Sequence, residues 1–252
     1  MIQVKSLREV NLMRAAGRIA GSALRAAGNA VAEGVTTKEL DQLIHNFIVS
    51  HNAYPTFLGY GDFPGSACIS INDEVIHGIP GVRKLRTGDL VKIDVGATYE
   101  GYVGDCANTF FVGEVSEEAK RLVAVTRQSF YEGIAHARVG NRISDISHAI
   151  QTYVEQNGFS VVRQYVGHGV GAELHEDPEV PNFGYPGKGA RLCAGMTLAI
   201  EPMVNLGGAP VRVLGDGWTV KTRDGSLSAH YEHSVVITKG DPELLTVSEE
   251  GR

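Results

Sequence analysis

The sequence predicts an α+β fold in which two helix–helix–hairpin units pack about a pseudo-twofold axis around a curved antiparallel sheet. Three observations carry this. Residues 88–112 read as a strand, a turn and a returning strand: Val91 and Ile93 alternate with Lys92 and Asp94, glycines break the middle, and Phe110, Phe111 and Val112 resume an apolar run. Gly34 is followed by Leu40, Ile44 and Ile48, and Gly140 by Ile146, Ile150 and Val154, at an offset of 106. Gly88 stands six residues before Asp94, closing a strand on Ile-Asp, and Gly195 six before Glu201, closing one on Ile-Glu, at an offset of 107. Two patterns at nearly one offset mark a duplication. Its halves cover roughly 6–115 and 116–240 of a single domain spanning 1–252.

Each element has its own signal. Residues 6–32 carry Leu12, Ala15, Ala16, Ile19, Ala23, Ala26 and Ala27 at helical spacing, and Gly34 ends the helix. Thr36 and Glu39 stand in capping-box spacing at the start of a second helix, whose apolar face is Leu40, Leu43, Ile44, Phe47 and Ile48. His45 points away from that face and reads as a solvated residue. Residues 51–67 form an aromatic, glycine-rich loop, and 68–71 a strand. Ser116 and two acids open a third helix over 116–138. Ile143, Ile146, Ile150 and Val154 mark a fourth. His136 and His148 belong to these helices as structural or solvated residues. Residues 161–170 read as a strand ending in His168 between glycines, 180–195 as a Gly/Pro-rich loop, and 196–204, 218–222 and 231–238 as further strands.

Composition narrows the function class. A chain of 252 residues with 43% hydrophobic content can bury a sizeable core, and a formal net charge of −6 offers no broad basic field for DNA. No run of about 18 apolar residues exists, so no membrane span is expected. The N-terminus lacks an apolar signal region. Three widely spaced cysteines, Cys68, Cys106 and Cys193, suit a reducing compartment and point to the cytoplasm. A self-contained duplicated fold makes a monomer the default.

The chemistry follows from the symmetry. Two units related by a pseudo-twofold bring their strand-end acids face to face: Asp94 and Asp105 from one half, Glu201 and Glu232 from the other. Four buried carboxylates without cations are prohibitively costly. A pair of divalent ions resolves the cost, and carboxylates with one imidazole suit Mn, Fe, Co or Zn. His168 is the best-placed imidazole, because its flanking glycines allow close backbone approach.

At these residues the chain resembles the methionine aminopeptidases, type I. The matching pieces run through nearly the whole chain: Asn72-Asp-Glu-Val-Ile-His77-Gly-Ile-Pro, Ile93-Asp94, Gly104-Asp105, Gly167-His168-Gly-Val-Gly171, His175-Glu-Asp-Pro, Gly195-Met-Thr-Leu-Ala-Ile-Glu201-Pro, Asp216-Gly-Trp218-Thr-Val and Ser226-Leu-Ser-Ala-His-Tyr-Glu232-His. The resemblance implies the pita-bread fold and the metal ligands Asp94, Asp105, His168, Glu201 and Glu232. It implies that His77 and His175 act on the substrate without binding metal, and that Glu201 also assists the attacking water. It implies a pocket for the first side chain lined by Phe57, Tyr60, Phe63, Cys68 and Trp218, with His77 and His175 at its edge. Phe57 replaces a frequent cysteine of the family, and Leu174 a frequent phenylalanine or methionine, so the departures touch pocket shape. Without a zinc-finger extension the chain looks like the short, bacterial-like form.

The expected activity is removal of the N-terminal methionine from nascent polypeptides near the ribosome when the second residue is small. Metal ions lower the pKa of water and polarise the scissile carbonyl, a carboxylate takes the proton, and an imidazole serves the oxyanion or the leaving amine. A pita-bread peptidase acting before proline is one alternative, and a non-catalytic protein- or RNA-binding member another. The first usually carries an extra N-terminal domain. The second should have lost ligands, and none is lost here.

Overall fold

The computed structural model describes residues 2–248. Four helices, α1 (Leu7–Ala30), α2 (Thr37–Ser50), α3 (Glu117–Ile134) and α4 (Ile143–Gln156), fall where helical spacing predicts them. The capping box forms: the Glu39 amide donates to Thr36 Oγ1 at 3.2 Å and the Thr36 amide donates to Glu39 Oε2 at 2.7 Å. Such a cap contributes about 1 kcal/mol. Strands β1 (Tyr54–Pro55), β2 (Cys68–Ile71), β3 (Glu74–Ile76), β4 (Leu90–Tyr99) and β5 (Tyr102–Phe111) complete the first half. The second half holds β6 (Ser160–Val161), β7 (Gly167–Gly169), β8 (Glu176–Val180), β9 (Thr197–Ile200), β10 (Met203–Asn205), β11 (Val211–Val213), β12 (Val220–Thr222), β13 (Ser228–His230), β14 (Glu232–Val236) and β15 (Glu243–Leu244). No helix among the described residues is long and apolar enough to cross a membrane.

The main antiparallel sheet has the order β1-β4-β5-β14-β9-β7-β8, with β2 also on β4 and β15 on β14. Outward from the β5/β14 seam, the order β5-β4-β2 on one side answers β14-β9-β7 on the other. Helices cover one face. Val91, Ile93, Val95 and Ala97 of β4 pack with Ala20, Ala23, Ala27, Leu40, Ile44 and Ile48 of α1 and α2. Leu198, Ile200 and Val235 pack with Leu122, Phe130, Ile146, Ile150 and Val154 of α3 and α4. Helix α1 lies so close to the sheet that a Cβ on Gly104 would stand 2.4 Å from the backbone of Gly17. Only glycine fits at that crossing.

Several sequence expectations change. Strand β4 runs on to Tyr99 and the turn is Glu100-Gly101, so Asp94 is mid-strand and not at a strand end. The run 161–170 is two strands in different sheets, because β6 pairs with β10 and β7 with β8 and β9. The run 196–204 breaks between β9 and β10 at Glu201-Pro202, where proline has no amide to donate to a ladder. His45 is half-buried and shares a 2.9 Å hydrogen bond with Ser66 Oγ, so it braces the loop before Cys68 instead of standing free in solvent. His136 lies just beyond α3, exposed; His148 is exposed on α4 and bonds the Gly184 carbonyl at 3.0 Å.

Candidate active site

The acids gather by register on the face away from the helices. Asp94 on β4 and Glu232 on β14 each stand opposite Ala107 of the intervening β5. Asp105 lies two residues before Ala107, opposite Gly96, and alternate strand residues share a face. His168 on β7 is opposite Ala199 of β9, and Glu201 stands two residues beyond Ala199. Gly96, Ala107 and Ala199 are small, which leaves the space between the acids open. A Cβ on Gly96 would meet the Phe57 ring at 2.7 Å, so this glycine seats Phe57 against the cleft.

Burial and mutual repulsion dominate the electrostatics. Burial, then the neighbouring Asp105 charge, pushes Asp94 well above the usual carboxylate range, and burial raises Asp105 to about 7. A protonated Asp94 donates to Asp105, which holds the second value down. Glu201 is pushed well up first by burial and then by the charges of Asp105 and Asp94, and Glu232 first by burial and then by the charges of Asp105, Glu201 and Asp94.

The imidazoles are held neutral. Burial, then the charge of His175, lowers His77 and His168 each to about 4. The His168 Nδ1–H donates to the Gly169 carbonyl at 2.8 Å. Its Nε2 therefore presents a lone pair 3.6 Å from Glu201 Oε1 and 3.8 Å from Asp105 Oδ2. The His175 ring stands 4.3 Å from the His168 ring, and its Nδ1 shares a 2.7 Å hydrogen bond with the Tyr60 hydroxyl. Partial burial lowers the His175 pKa although the residue reaches the surface. His77 adopts φ +57, a left-handed backbone that costs a non-glycine residue about 1–3 kcal/mol and is met at functional sites. Its ring meets Trp218 edge-on at 6.2 Å.

Above the acids an apolar wall rises. One cleft is lined by every residue expected at the site, Asp94, Asp105, His168, Glu201, Glu232, His77, His175, Phe57, Tyr60, Phe63, Cys68 and Trp218, together with Leu174. Phe57, Phe63, Cys68 and Leu174 are buried, and Phe63 meets Trp218 edge-on at 5.1 Å. Cys68 is opposite Asp94 on β2, and burial followed by the Asp94 charge pushes its thiol well up, so it is a wall and not a nucleophile.

Comparison with known proteins agrees with this geometry. The model of metallopeptidase family M24 matches residues 11–239. The chain belongs to metallopeptidase family M24. Within M24, a methionine aminopeptidase of Clostridium perfringens is 55% identical over 98% of this chain and 99% of its own length. One of Bacillus subtilis, methionine aminopeptidase 1, is 52% identical over 98% of this chain and 99% of its own. The crystal structure of methionine aminopeptidase from Rickettsia prowazekii superposes with a TM-score of 0.97 at 44% identity, covering 98% of this chain and 100% of that one. The pita-bread fold and the aminopeptidase relationship expected from the sequence both stand.

An M24 enzyme works with divalent metal, and the residues fit one. Asp94 Oδ1, Asp105 Oδ1 and Glu232 Oε1 are buried without any hydrogen-bond partner. Hard oxygen donors with imidazole nitrogen are what a divalent transition ion takes. Ligand atoms of Asp94, His230 and Glu232, and of Asp105, His168 and Glu232, lie within 4.8 Å of one another. A cation among them reverses the cost of ionising the cluster.

Sequence reasoning for this M24 site missed His230, and for the strand that carries Asp94 it missed the burial of Lys92. His230 stands two residues before Glu232, a spacing that puts alternate residues of an extended chain on one side. Lys92 stands two before Asp94, on the polar side of an alternation that suggests one solvated face. Instead β3 and β13 pack on that face, Lys92 is 1% exposed, and its Nζ donates to the Asn72 carbonyl at 2.7 Å.

Proposed function

We propose that this enzyme is a methionyl aminopeptidase that removes the N-terminal methionine of nascent proteins and peptides when the second residue is small, using two divalent ions drawn from Co, Mn, Fe or Zn. The observation that carries the reading is the juxtaposition of partnerless buried carboxylate oxygens with an apolar-walled cleft. Asp94, Asp105, His168, Glu201 and Glu232 would hold the ions. When bound, the ions supply an activated water and polarise the scissile carbonyl.

The remaining steps belong to side chains. Phe57, Phe63, Cys68, Leu174 and Trp218 take the unbranched methionine side chain and exclude water around it. The acidic floor attracts the substrate's free α-ammonium, which limits cleavage to a chain end. Glu201, beside the ions, takes the proton of the attacking water and passes it on to the leaving amine. His175, oriented through its Nδ1 by Tyr60, leaves Nε2 to face the developing oxyanion. His77, held by its unusual backbone at the pocket edge, serves the scissile amide from beside Trp218.

The three cysteines are free thiols, as a reducing compartment keeps them. We place the enzyme in the cytoplasm, as a monomer acting on chains near the ribosome. A release assay on Met-Ala-Ser and Ala-Pro-Ala tests the reading. Methionine should be released from the first alone, chelation should abolish release, and Co(II) or Mn(II) should restore it. Full activity in metal-free protein, or preference for Ala-Pro-Ala, would overturn it.

A further inference from the structure

The five ligands leave one imidazole of the cluster unused. His230, at the end of β13, is 2% exposed, and its Nε2 is buried with no hydrogen-bond partner. That nitrogen stands 3.6 Å from Glu201 Oε2 and 3.8 Å from Glu232 Oε2. His168 Nε2 has the matching relation on the other side, 3.6 Å from Glu201 Oε1 and 3.8 Å from Asp105 Oδ2. Each oxygen of Glu201 therefore faces a different imidazole.

These separations are too long for hydrogen bonds, which span about 2.7–3.2 Å. They fit atoms sharing a cation: bonds of about 2.0–2.2 Å at tetrahedral angles put neighbouring ligand atoms about 3.4 Å apart. The two close-set groups of ligand atoms divide the same way, one holding His168 and the other His230, with Glu232 common to both. The backbone of His230 is clamped so that the ring has a fixed base. Its amide donates to Thr109 Oγ1 at 3.0 Å, and that hydroxyl donates to the His230 carbonyl at 2.9 Å. Its strand pairs with β10 through Met203.

We propose that His230 is a sixth metal ligand, so that each of two ions has one imidazole: His168 beside Asp105 and Glu201, His230 beside Asp94 and Glu232. The assignment rests on the metallopeptidase reading. It makes the second position richer in nitrogen than an all-carboxylate site, which favours Zn or Co over Mn there.

The test is cobalt binding by chelator-stripped protein, followed by calorimetry and by proton NMR of the paramagnetically shifted imidazole N–H signals. Wild-type protein should take two Co(II) per chain and show two such signals. His230→Gln and His230→Ala should bind one Co(II) as before, bind the other at least ten-fold more weakly, and lose one signal. The loss should be smaller with Mn(II). Two ions bound by His230→Gln at unchanged affinity, with both signals kept, would overturn the assignment. The wild-type signal count needs no substitution: a single shifted imidazole N–H in the fully loaded protein overturns it even if both variants fail to fold. Wild-type protein that takes up no Co(II) would instead overturn the metallopeptidase reading.

Discussion

Replacing Asp105 by asparagine should stabilise the metal-free protein at neutral pH while weakening metal binding at the position Asp105 shares with His168 and Glu232. Asp105 is 4% exposed, and burial raises its pKa from the ordinary 3.8 to about 7. A carboxyl raised in the folded state costs nothing below about pH 4, where folded and unfolded chains both hold the proton. The cost grows as pH climbs from there and levels off above about pH 7, where both have lost it. A gap of about 3 pH units, at about 1.36 kcal/mol each, amounts to on the order of 4 kcal/mol. Asparagine keeps the shape and cannot ionise, so Asp105→Asn removes that cost. Imperfect replacement of the Asp94 hydrogen bond trims the net gain to about 3 kcal/mol.

Urea unfolding of chelated wild-type and variant protein from pH 4 to pH 8, followed by circular dichroism, reads the difference directly. The buried histidines act in the opposite sense, since their lowered pKa values cost stability as pH falls, but both proteins share them and they cancel. The difference should be near zero at pH 4 and largest near pH 7.5. Added Mn(II) or Co(II) should reverse its sign by stabilising the wild type more than the variant. A variant less stable than metal-free wild type at pH 7.5, or a difference independent of pH, would refute the reasoning.

The three site histidines should separate by role: His168→Ala lowers the occupancy of one metal, whereas His175→Ala keeps both and loses roughly 10²–10³ in kcat, as for one oxyanion donor. His77→Ala should resemble His175→Ala with a change in KM as well, and metal stoichiometry beside kcat for the three variants decides, with loss of metal from His175→Ala counting against the division. Met-Gly, Met-Ala and Met-Ser peptides should be cleaved faster than Met-Leu, and equal turnover of Met-Gly and Met-Leu would contradict a narrow site beside the metals. Gly104→Ala should destabilise the fold by about 1–3 kcal/mol or more, because its methyl would overlap the α1 backbone at Gly17; an unchanged unfolding midpoint would show that the helix can move away.

Much of this protein was legible before folding because the decisive signals are local. Helical spacing and a Thr36/Glu39 cap set the helices, glycines and prolines punctuated the strands, Asp94 and Glu201 stood at repeating positions, and Asp105 and Glu232 stood in strand-like runs beside them. The family motifs then supplied His77, His175 and the aromatic wall. What local pattern could not express is which elements cover a strand from elsewhere in the chain.

Alternation in β4 reads as one apolar and one polar face, and only the packing of β3 and β13 shows that the polar side, with Lys92, is buried too. The break at Glu201-Pro202 and the division of 161–170 between two sheets depend on pairing partners dozens of residues away. His230 belongs to the same class. By itself it is one histidine in a strand. Its Nε2 acquires a role only when β13, β14 and β9 bring it against Glu201 and Glu232, where it is placed to share a cation with them.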